Sequence, residues 1–160
     1  MRAIGLILVI FLTACSMPAK KTGQDENKAA REKIADLSNQ IKGLCTNPDY
    51  AAYFAKTFCT PADATLVIMS EKSKINTVEK NALNAWSMAY DKLAEEVNTT
   101  LRTAGPKEKL LAEYIDTVAI PAAQKSRLEL YDGQITWGQY SLRRKEILDG
   151  IAVESRRIFQ

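Results

Sequence analysis

The stretch NTVEKNALNAWSMAYDKLAEEVNTTLRTAGP, residues 76–106, decides the fold. Asn76 and Glu79 stand at the spacing of a capping box, in which each side chain accepts a hydrogen bond from the other residue's backbone N–H. Behind them, apolar residues recur every three or four positions, as on one face of a helix: Ala82, Trp86, Ala89, Leu93, Val97 and Leu101. Gly105 and Pro106 end the pattern. A long helix with such a face needs other helices to cover it, so the stretch predicts a helical bundle.

Long helices are also predicted on both sides of this stretch. Before it, apolar residues at alternating spacings of three and four predict a helix over residues 27–44: Ile34, Leu37, Ile41 and Leu44. After it, Pro121 should kink or split a helical segment because proline lacks a backbone N–H. Thr136 and Gln139 form a second capping box, and the last helix presents an apolar face: Tyr140, Ile147, Ile151 and Ile158. No alternating strand pattern of useful length occurs, so we predict an all-α fold, a small bundle of about three long helices plus short helices.

The first fourteen residues are predicted to be a secretory signal. Arg2 gives a short positive start, residues 3–12 are largely apolar, and two small residues precede Cys15. An apolar run of this length is too short to span a bilayer as a permanent helix. The layout therefore indicates export of the chain, with removal of the leader.

The end of this leader, Leu12–Cys15, resembles the lipobox of bacterial lipoproteins. The resemblance implies cleavage before Cys15, a diacylglycerol on its sulfur and an acyl chain on the freed amine. We predict no other cofactor. Each buried methylene contributes roughly 0.8 kcal/mol, so two or three chains hold a protein stably on a membrane. By resemblance to the enterobacterial sorting rule, Ser16 favours the outer membrane, facing the periplasm or the surface. The alternative is a plain cleavable signal with a chance cysteine at its edge.

The rest of the chain divides into a tether and a helical domain. The segment after Cys15 is polar, with a proline, a glycine and several charges, and it lacks apolar side chains that would offset the entropy of ordering. We therefore expect a signal peptide over residues 1–14, a lipidated cysteine and flexible tether over 15–26, and one helical domain over 27–160.

Cys45 and Cys59 are the two cysteines after Cys15, and they flank a short segment with a helix-start signal at Asn47–Pro48. In an exported protein such a pair is expected to form a disulfide, which stabilises a loop of this size by on the order of 3 kcal/mol. Metal or redox chemistry is the alternative. It is the weaker one, because the spacing is not C-x-x-C and the chain has no histidine to complete a zinc site.

Charge and composition argue against two classes of function. The chain has 22 lysines and arginines against 19 aspartates and glutamates, a formal net charge of +3, so it exerts no general attraction on nucleic acid. Histidine, the side chain most used in acid–base catalysis near neutral pH and the commonest metal ligand, is absent. The sequence also lacks a phosphate-binding glycine loop and other catalytic signatures. We therefore predict no catalytic residue and no metal site.

The corner LYDGQITWGQYSLRRK, residues 130–145, holds the candidate partner-binding residues Trp137, Tyr140, Arg143 and Arg144. Aromatic and arginine side chains most often anchor protein interfaces, and a tryptophan at a helix start can be partly exposed. The alternative is that the aromatic rings clamp the corner between two helices while the basic residues form a solvated face. The corner resembles one found in helical bacterial lipoproteins of unassigned function, a resemblance that implies no activity.

Three functions fit these features. The first is a non-enzymatic envelope lipoprotein that binds another envelope protein, as an accessory of secretion, conjugation or wall assembly. The second is a small hydrolase or carrier acting on peptidoglycan or lipid, with carboxylates in a cleft between helices, such as Glu95 with Glu96 or Glu108 with Glu113. The third is a surface-exposed adhesin or inhibitor. A deep pocket with paired acids would favour the second function, and a closed bundle with an exposed aromatic patch would favour the first.

Overall fold

A computed structural model describes residues 23–160. The predicted signal peptide, Cys15 and the first part of the tether lie outside the described residues. Within them the chain forms helices and turns and no strand, which confirms the predicted all-α bundle. The α-helices are α1 (Gly23–Gly43), α2 (Ala51–Phe54), α3 (Leu66–Met69), α4 (Thr77–Ala104), α5 (Pro106–Tyr114), α6 (Ile120–Tyr131) and α7 (Trp137–Phe159). The other helical elements are short 3-10 turns at Leu44–Thr46, Pro48–Tyr50 and Pro61–Asp63, and a π-helix at Ile115–Ala119.

The central helix is α4, and its start is fixed by the predicted capping box. Asn76 Oδ1 accepts a hydrogen bond from the backbone N–H of Glu79 (3.0 Å), and Glu79 Oε2 accepts one from the N–H of Asn76 (2.9 Å). The helix packs against α1, α2 and α5, and it buries Ala82, Trp86 and Leu101. These three buried residues all belong to the apolar pattern from which the bundle is predicted.

The first helix is longer than predicted. It begins at Gly23 and not at residue 27, so residues 23–26, which were expected in the tether, are helical.

A disulfide ties down the segment between α1 and α4, as predicted. Cys45 and Cys59 are bonded, and their Cα atoms lie 5.8 Å apart. The loop that they close contains α2, whose Tyr53 is completely buried. The disulfide therefore holds the short aromatic helix against the end of α1.

The predicted interruption at Pro121 takes the form of a π-helix just before the proline. This π-helix, Ile115–Ala119, separates α5 from α6, and Pro121 occupies the first turn of α6. A proline inside a regular α-helix removes one hydrogen bond, and its ring clashes with the carbonyl group four residues earlier. The wider π turn relieves that conflict, so the chain continues as a helix beyond the proline.

The corner between α6 and α7 has the conformation that its residue types favour. Gly133 has a φ of 69°, in the left-handed region that glycine adopts without steric cost. Thr136 Oγ1 accepts from the backbone N–H of Gln139 (3.2 Å), and Gln139 Oε1 accepts from the N–H of Thr136 (2.9 Å). The second predicted capping box is therefore confirmed, and α7 begins where it was expected to begin.

The start of α7 is also held against the chain that follows α3. The backbone N–H of Gly138 donates to the carbonyl oxygen of Glu71 (2.8 Å), and that of Trp137 donates to the carbonyl oxygen of Ser73 (3.1 Å). A Cβ atom on Gly138 would lie 2.5 Å from the carbonyl oxygen of Met69, which is closer than carbon and oxygen approach without a bond. The glycine therefore permits a contact between two backbones that a larger residue would prevent.

Candidate functional site

An aromatic cluster fills the core where α2, α4 and α7 meet. The rings of Tyr53 and Trp86 stack with centroids 4.5 Å apart, and the rings of Trp137 and Tyr140 surround them. The hydroxyls of Tyr53 and Tyr140 are 2.7 Å apart and share a hydrogen bond. Burial raises the pKa of both phenols, and the positive charge of Arg144 opposes that rise in part. Both hydroxyls therefore remain protonated at neutral pH.

Trp137 and Tyr140 belong to this core and not to the surface. Their exposed fractions are 0% and 2%, so the expectation that Trp137 is partly exposed is wrong. The indole N–H of Trp137 donates to Glu79 Oε2 (3.0 Å), which allows the ring to be buried with its donor satisfied. The aromatic rings pack in the corner between helices, as in the alternative interpretation, and the partner-binding role predicted for them stays a prediction.

The two neighbouring arginines of the corner have different surroundings, because successive residues on a helix are rotated by about 100°. Arg143 forms an ion pair with Glu129 on α6 and is close to the surface. The guanidinium of Arg144 lies over the ring of Phe58, 4.6 Å from its centroid, and over Trp86 at 5.4 Å. The partner-binding role predicted for these two arginines stays a prediction, and only Arg144 reaches the interior.

Arg144 is a half-buried cation whose contacts are carbonyl groups and aromatic rings. It donates hydrogen bonds to the carbonyl oxygens of Phe58 and Cys59. Within the described part of the chain, no carboxylate oxygen lies within 4.0 Å of its nitrogens. A carbonyl group accepts a hydrogen bond but does not neutralise a charge, so the guanidinium keeps its full positive charge at this position.

A cavity of about 480 Å³ lies beside Arg144, between α1, α4, α6 and α7. Residues of the π-helix and of the loop that follows Cys59 complete its wall. Ligand pockets in proteins generally measure about 300–1,000 Å³. The cavity has the size of such a pocket, and it is our candidate functional site.

The cavity has a polar half and an apolar half. Because α6 and α7 are joined by a short corner and pack against each other, they run antiparallel, and residues equally distant from the corner lie side by side. The half near the corner contains Trp86, Tyr90, Gln124, Ser126, Arg127 and Arg144. The half farther from the corner is mainly apolar, with the exposed Glu95 at its edge; its apolar lining residues are Ala94, Ile115, Ala119, Ile147, Leu148 and Ile151. A ligand with one polar end and one apolar end matches this division.

Small side chains leave room for the cavity. Ala94, Ala119 and Ala123 line it at positions where larger apolar residues would fill the space between the helices. Ser126 also lines it; this residue is 3% exposed, and its hydroxyl has no hydrogen-bond partner among the described residues. Buried polar groups are normally hydrogen-bonded, so this buried hydroxyl is an exception in the wall of the cavity.

The carboxylates at the cavity are paired with arginines. Asp91 accepts a hydrogen bond from Arg127 (2.9 Å), and Glu95 forms an ion pair with Arg102 (3.3 Å). Their side chains are 51% and 60% exposed. Catalysis by two carboxylates needs a dry cleft that separates their pKa values, and this arrangement does not supply one. The other carboxylates considered for a hydrolase do not line the cavity: Glu96, Glu108 and Glu113.

The sequence analysis identifies Arg144 as a candidate site residue. It misses Ser126, Arg127 and the alanines that line the cavity. The signal that could have revealed the wall is the presence of alanine and serine at core-facing helical positions opposite isoleucines, which predicts unfilled space. The pairing of Arg127 with Asp91 spans two helices that are distant in sequence, and no local pattern predicts it.

Over residues 23–160, no helix is both long and apolar enough to span a membrane. In the same residues, no three cysteine, aspartate or glutamate side chains lie close enough together to hold a metal ion. No protein-family model, curated protein sequence or solved structure matches this chain.

Proposed function

We propose that this chain is a lipid-anchored envelope protein that acts by binding and not by catalysis, holding an elongated apolar ligand in the cavity between its helices. The observation that carries the proposal is the cavity of about 480 Å³ with isoleucine, leucine and alanine in its wall. The leader supports the anchor, because Leu12–Cys15 resembles a lipobox, and Ser16 favours the outer membrane. Of the functions considered from the sequence, the carrier fits the site best.

The energetics of the cavity favour an apolar occupant. Protein interiors are otherwise close-packed, and the wall of an unfilled space lacks dispersion contacts on one side. An apolar ligand that restores those contacts gains about 25 cal/mol for each Å² removed from water. Along α7 the lining residues extend from Tyr140 to Ile151, a rise of about 17 Å. The hydrocarbon core of a bilayer is ~30 Å thick, so one acyl chain spans about half of that thickness. The lining of α7 is close to this length.

The experiment fills the cavity and measures the loss of an apolar probe. The full lipoprotein, held in phosphatidylcholine nanodiscs, is exposed to a diazirine-bearing hexadecane, irradiated and digested, and the labelled peptides are mapped by mass spectrometry. We expect labels on the π-helix, α6 and α7. Ala123→Trp should lower this labelling by about tenfold, since its indole occupies the ligand volume.

The matched control is the neighbouring alanine. Ala122 lies on the same helix but is exposed, so Ala122→Trp adds the same side chain outside the cavity. Its labelling should equal that of the unmodified protein, and circular dichroism should show that both variants are folded. Ala94→Leu is a milder filling variant on a different helix. If Ala123→Trp, Ala94→Leu and Ala122→Trp all label like the unmodified protein, the cavity does not bind an apolar chain.

Binding of an envelope protein is the second candidate function, and a different surface now supports it. On α3, Leu66 and Val67 are 82% and 80% exposed, while the helix itself is fixed by the cap at Thr65 and by the contact of Gly138. Contiguous exposed apolar side chains can form part of a docking surface, and these two are adjacent. In-cell crosslinking of the full lipoprotein tests it: a partner lost in Leu66→Asp but retained in Leu128→Asp, which alters an exposed leucine elsewhere, would establish this surface.

A further inference from the structure

We propose that the cavity is selective for a single acyl chain with an anionic head group, a carboxylate or a phosphate, which Arg144 binds while the chain lies along the isoleucines of α7. This inference rests on the proposed function and adds the chemical class of the ligand. It comes from the charge balance of the cavity, the contacts of Arg144 and the separation of the polar and apolar halves.

The charge balance leaves Arg144 without a counterion. Asp91 pairs with Arg127, and Glu95 lies 3.3 Å from Arg102, a residue outside the cavity whose shorter ion pair is with Asp116 (2.7 Å). None of these carboxylates forms an ion pair with Arg144 among the described residues. The remaining charged residues that line the cavity are Lys42, which is exposed, and Arg144, which is not. Removing a cation from water is costly unless an opposite charge compensates it, and a bound anion would supply that charge.

The contacts of Arg144 position it to bind an anion. A guanidinium has five N–H donors in a planar fork. The carbonyl oxygens of Phe58 and Cys59 accept from its two terminal nitrogens, and at least two further donors remain. The rings of Phe58 and Trp86 hold the plane of the guanidinium, so little side-chain entropy is lost when it binds. Such a planar, fixed donor set suits the paired oxygens of a carboxylate or phosphate.

The position of Arg144 in the cavity defines where the rest of the ligand lies. On α7 it is followed, one and two turns later, by Ile147, Leu148 and Ile151 on the same side of the helix. An acyl chain whose head group contacts Arg144 therefore extends into the apolar half of the cavity. Ile115 and Ala119 of the π-helix line this half.

The test compares head groups on one chain. Diazirine-bearing hexadecanoate, hexadecyl phosphate and hexadecanol are each photo-crosslinked to the full lipoprotein in phosphatidylcholine nanodiscs, next to the hexadecane probe. We expect at least one of the two anions to label the cavity peptides about tenfold more than hexadecanol, as a charge-assisted hydrogen bond implies. Which anion labels more strongly distinguishes a fatty acid from a phosphorylated lipid as the source of the ligand.

Two arginine variants locate the head group. Arg144→Gln should abolish the preference for anions while keeping the labelling by hexadecane, which shows that the cavity is intact. Arg143→Gln, the matched control, removes an arginine one position away whose partner is Glu129, and it should keep the preference. Equal labelling by both anions and hexadecanol, with hexadecane still bound, would overturn the head-group assignment alone. If none of the four probes labels the cavity peptides of the unmodified protein, the proposed function is overturned as well.

Discussion

The indole N–H of Trp137 and the backbone N–H of Asn76 donate to the same carboxylate oxygen, Oε2 of Glu79, at 3.0 and 2.9 Å. Glu79 therefore caps α4 and at the same time fixes the first residue of α7, which is 58 positions away in the sequence. The residue is only 6% exposed. One carboxylate thus links the starts of the two longest helices that follow the disulfide loop.

Replacing Glu79 should cost more stability than replacing an ordinary cap. In Glu79→Ala, α4 loses its reciprocal cap and the buried indole N–H loses its acceptor, and we expect the free energy of unfolding to fall by about 2–4 kcal/mol. Urea denaturation measures this change. Gln139→Ala removes the equivalent exposed residue of the second capping box and should cost about 1 kcal/mol. Equal losses in the two variants would show that the bond to Trp137 contributes nothing.

Gly138→Ala should destabilise the fold, although alanine is normally the better helix former. The added methyl group would lie 2.5 Å and 2.7 Å from the carbonyl oxygens of Met69 and Glu71, which are backbone atoms and cannot rotate away. We expect a loss of about 2–3 kcal/mol in thermal or urea unfolding. Gly150→Ala is the control, because its methyl group would meet only the hydroxyl of Tyr114, the mobile end of a side chain. A gain in stability for Gly138→Ala would contradict the backbone contact.

Alkaline pH should weaken the fold through the buried tyrosine pair. Burial raises the pKa of Tyr53 and Tyr140 above the ordinary value of about 10. The unfolded chain therefore ionises first, so the stability that these phenols contribute is present below pH ~10 and is lost as the pH rises toward the pKa of the folded state. Measured between pH 8 and 11, the fall in the free energy of unfolding should be shallower in the double variant Tyr53→Phe/Tyr140→Phe. Parallel curves for the two proteins would contradict this role of the pair.

Cys15→Ala should abolish membrane attachment. The substitution removes the sulfur that the lipobox resemblance assigns to the diacylglycerol, so the protein should be recovered soluble or uncleaved after fractionation. Intact-protein mass spectrometry reports the acyl chains directly. Recovery of the variant in the membrane fraction at the mature, acylated mass would contradict the lipoprotein assignment.

Local patterns predict the elements of this fold well, because their causes are local. The capping boxes at Asn76 and Thr136 lie where expected, since both partners of each box are three residues apart. The disulfide between Cys45 and Cys59 is likewise predicted from spacing and export. The early start of α1 is a smaller departure, because an apolar stripe marks only the part of a helix that packs against other elements.

The site depends on contacts between distant segments, and there the sequence alone is insufficient. Trp137 is buried because Glu79 supplies its acceptor, and nothing near Trp137 in the chain reveals this. Arg143 and Arg144 are indistinguishable as a pair of basic residues, yet their rotation about α7 sends one to Glu129 and the other to the cavity. The cavity itself arises from alanines on separate helices, whose small size has meaning only when those helices face one another.

The π-helix at Ile115–Ala119 gives the chain one residue more than regular α-helical winding requires. This extra residue therefore determines the direction in which the side chains of α6 point relative to those of α5. Deleting one residue from this turn would rotate α6 by about 100° relative to α5, turning Ala123 and Ser126 away from their present direction. The face of α6 that lines the cavity would then point elsewhere. The number of residues in this turn, rather than the identity of any side chain, therefore keeps the wall of the cavity in place.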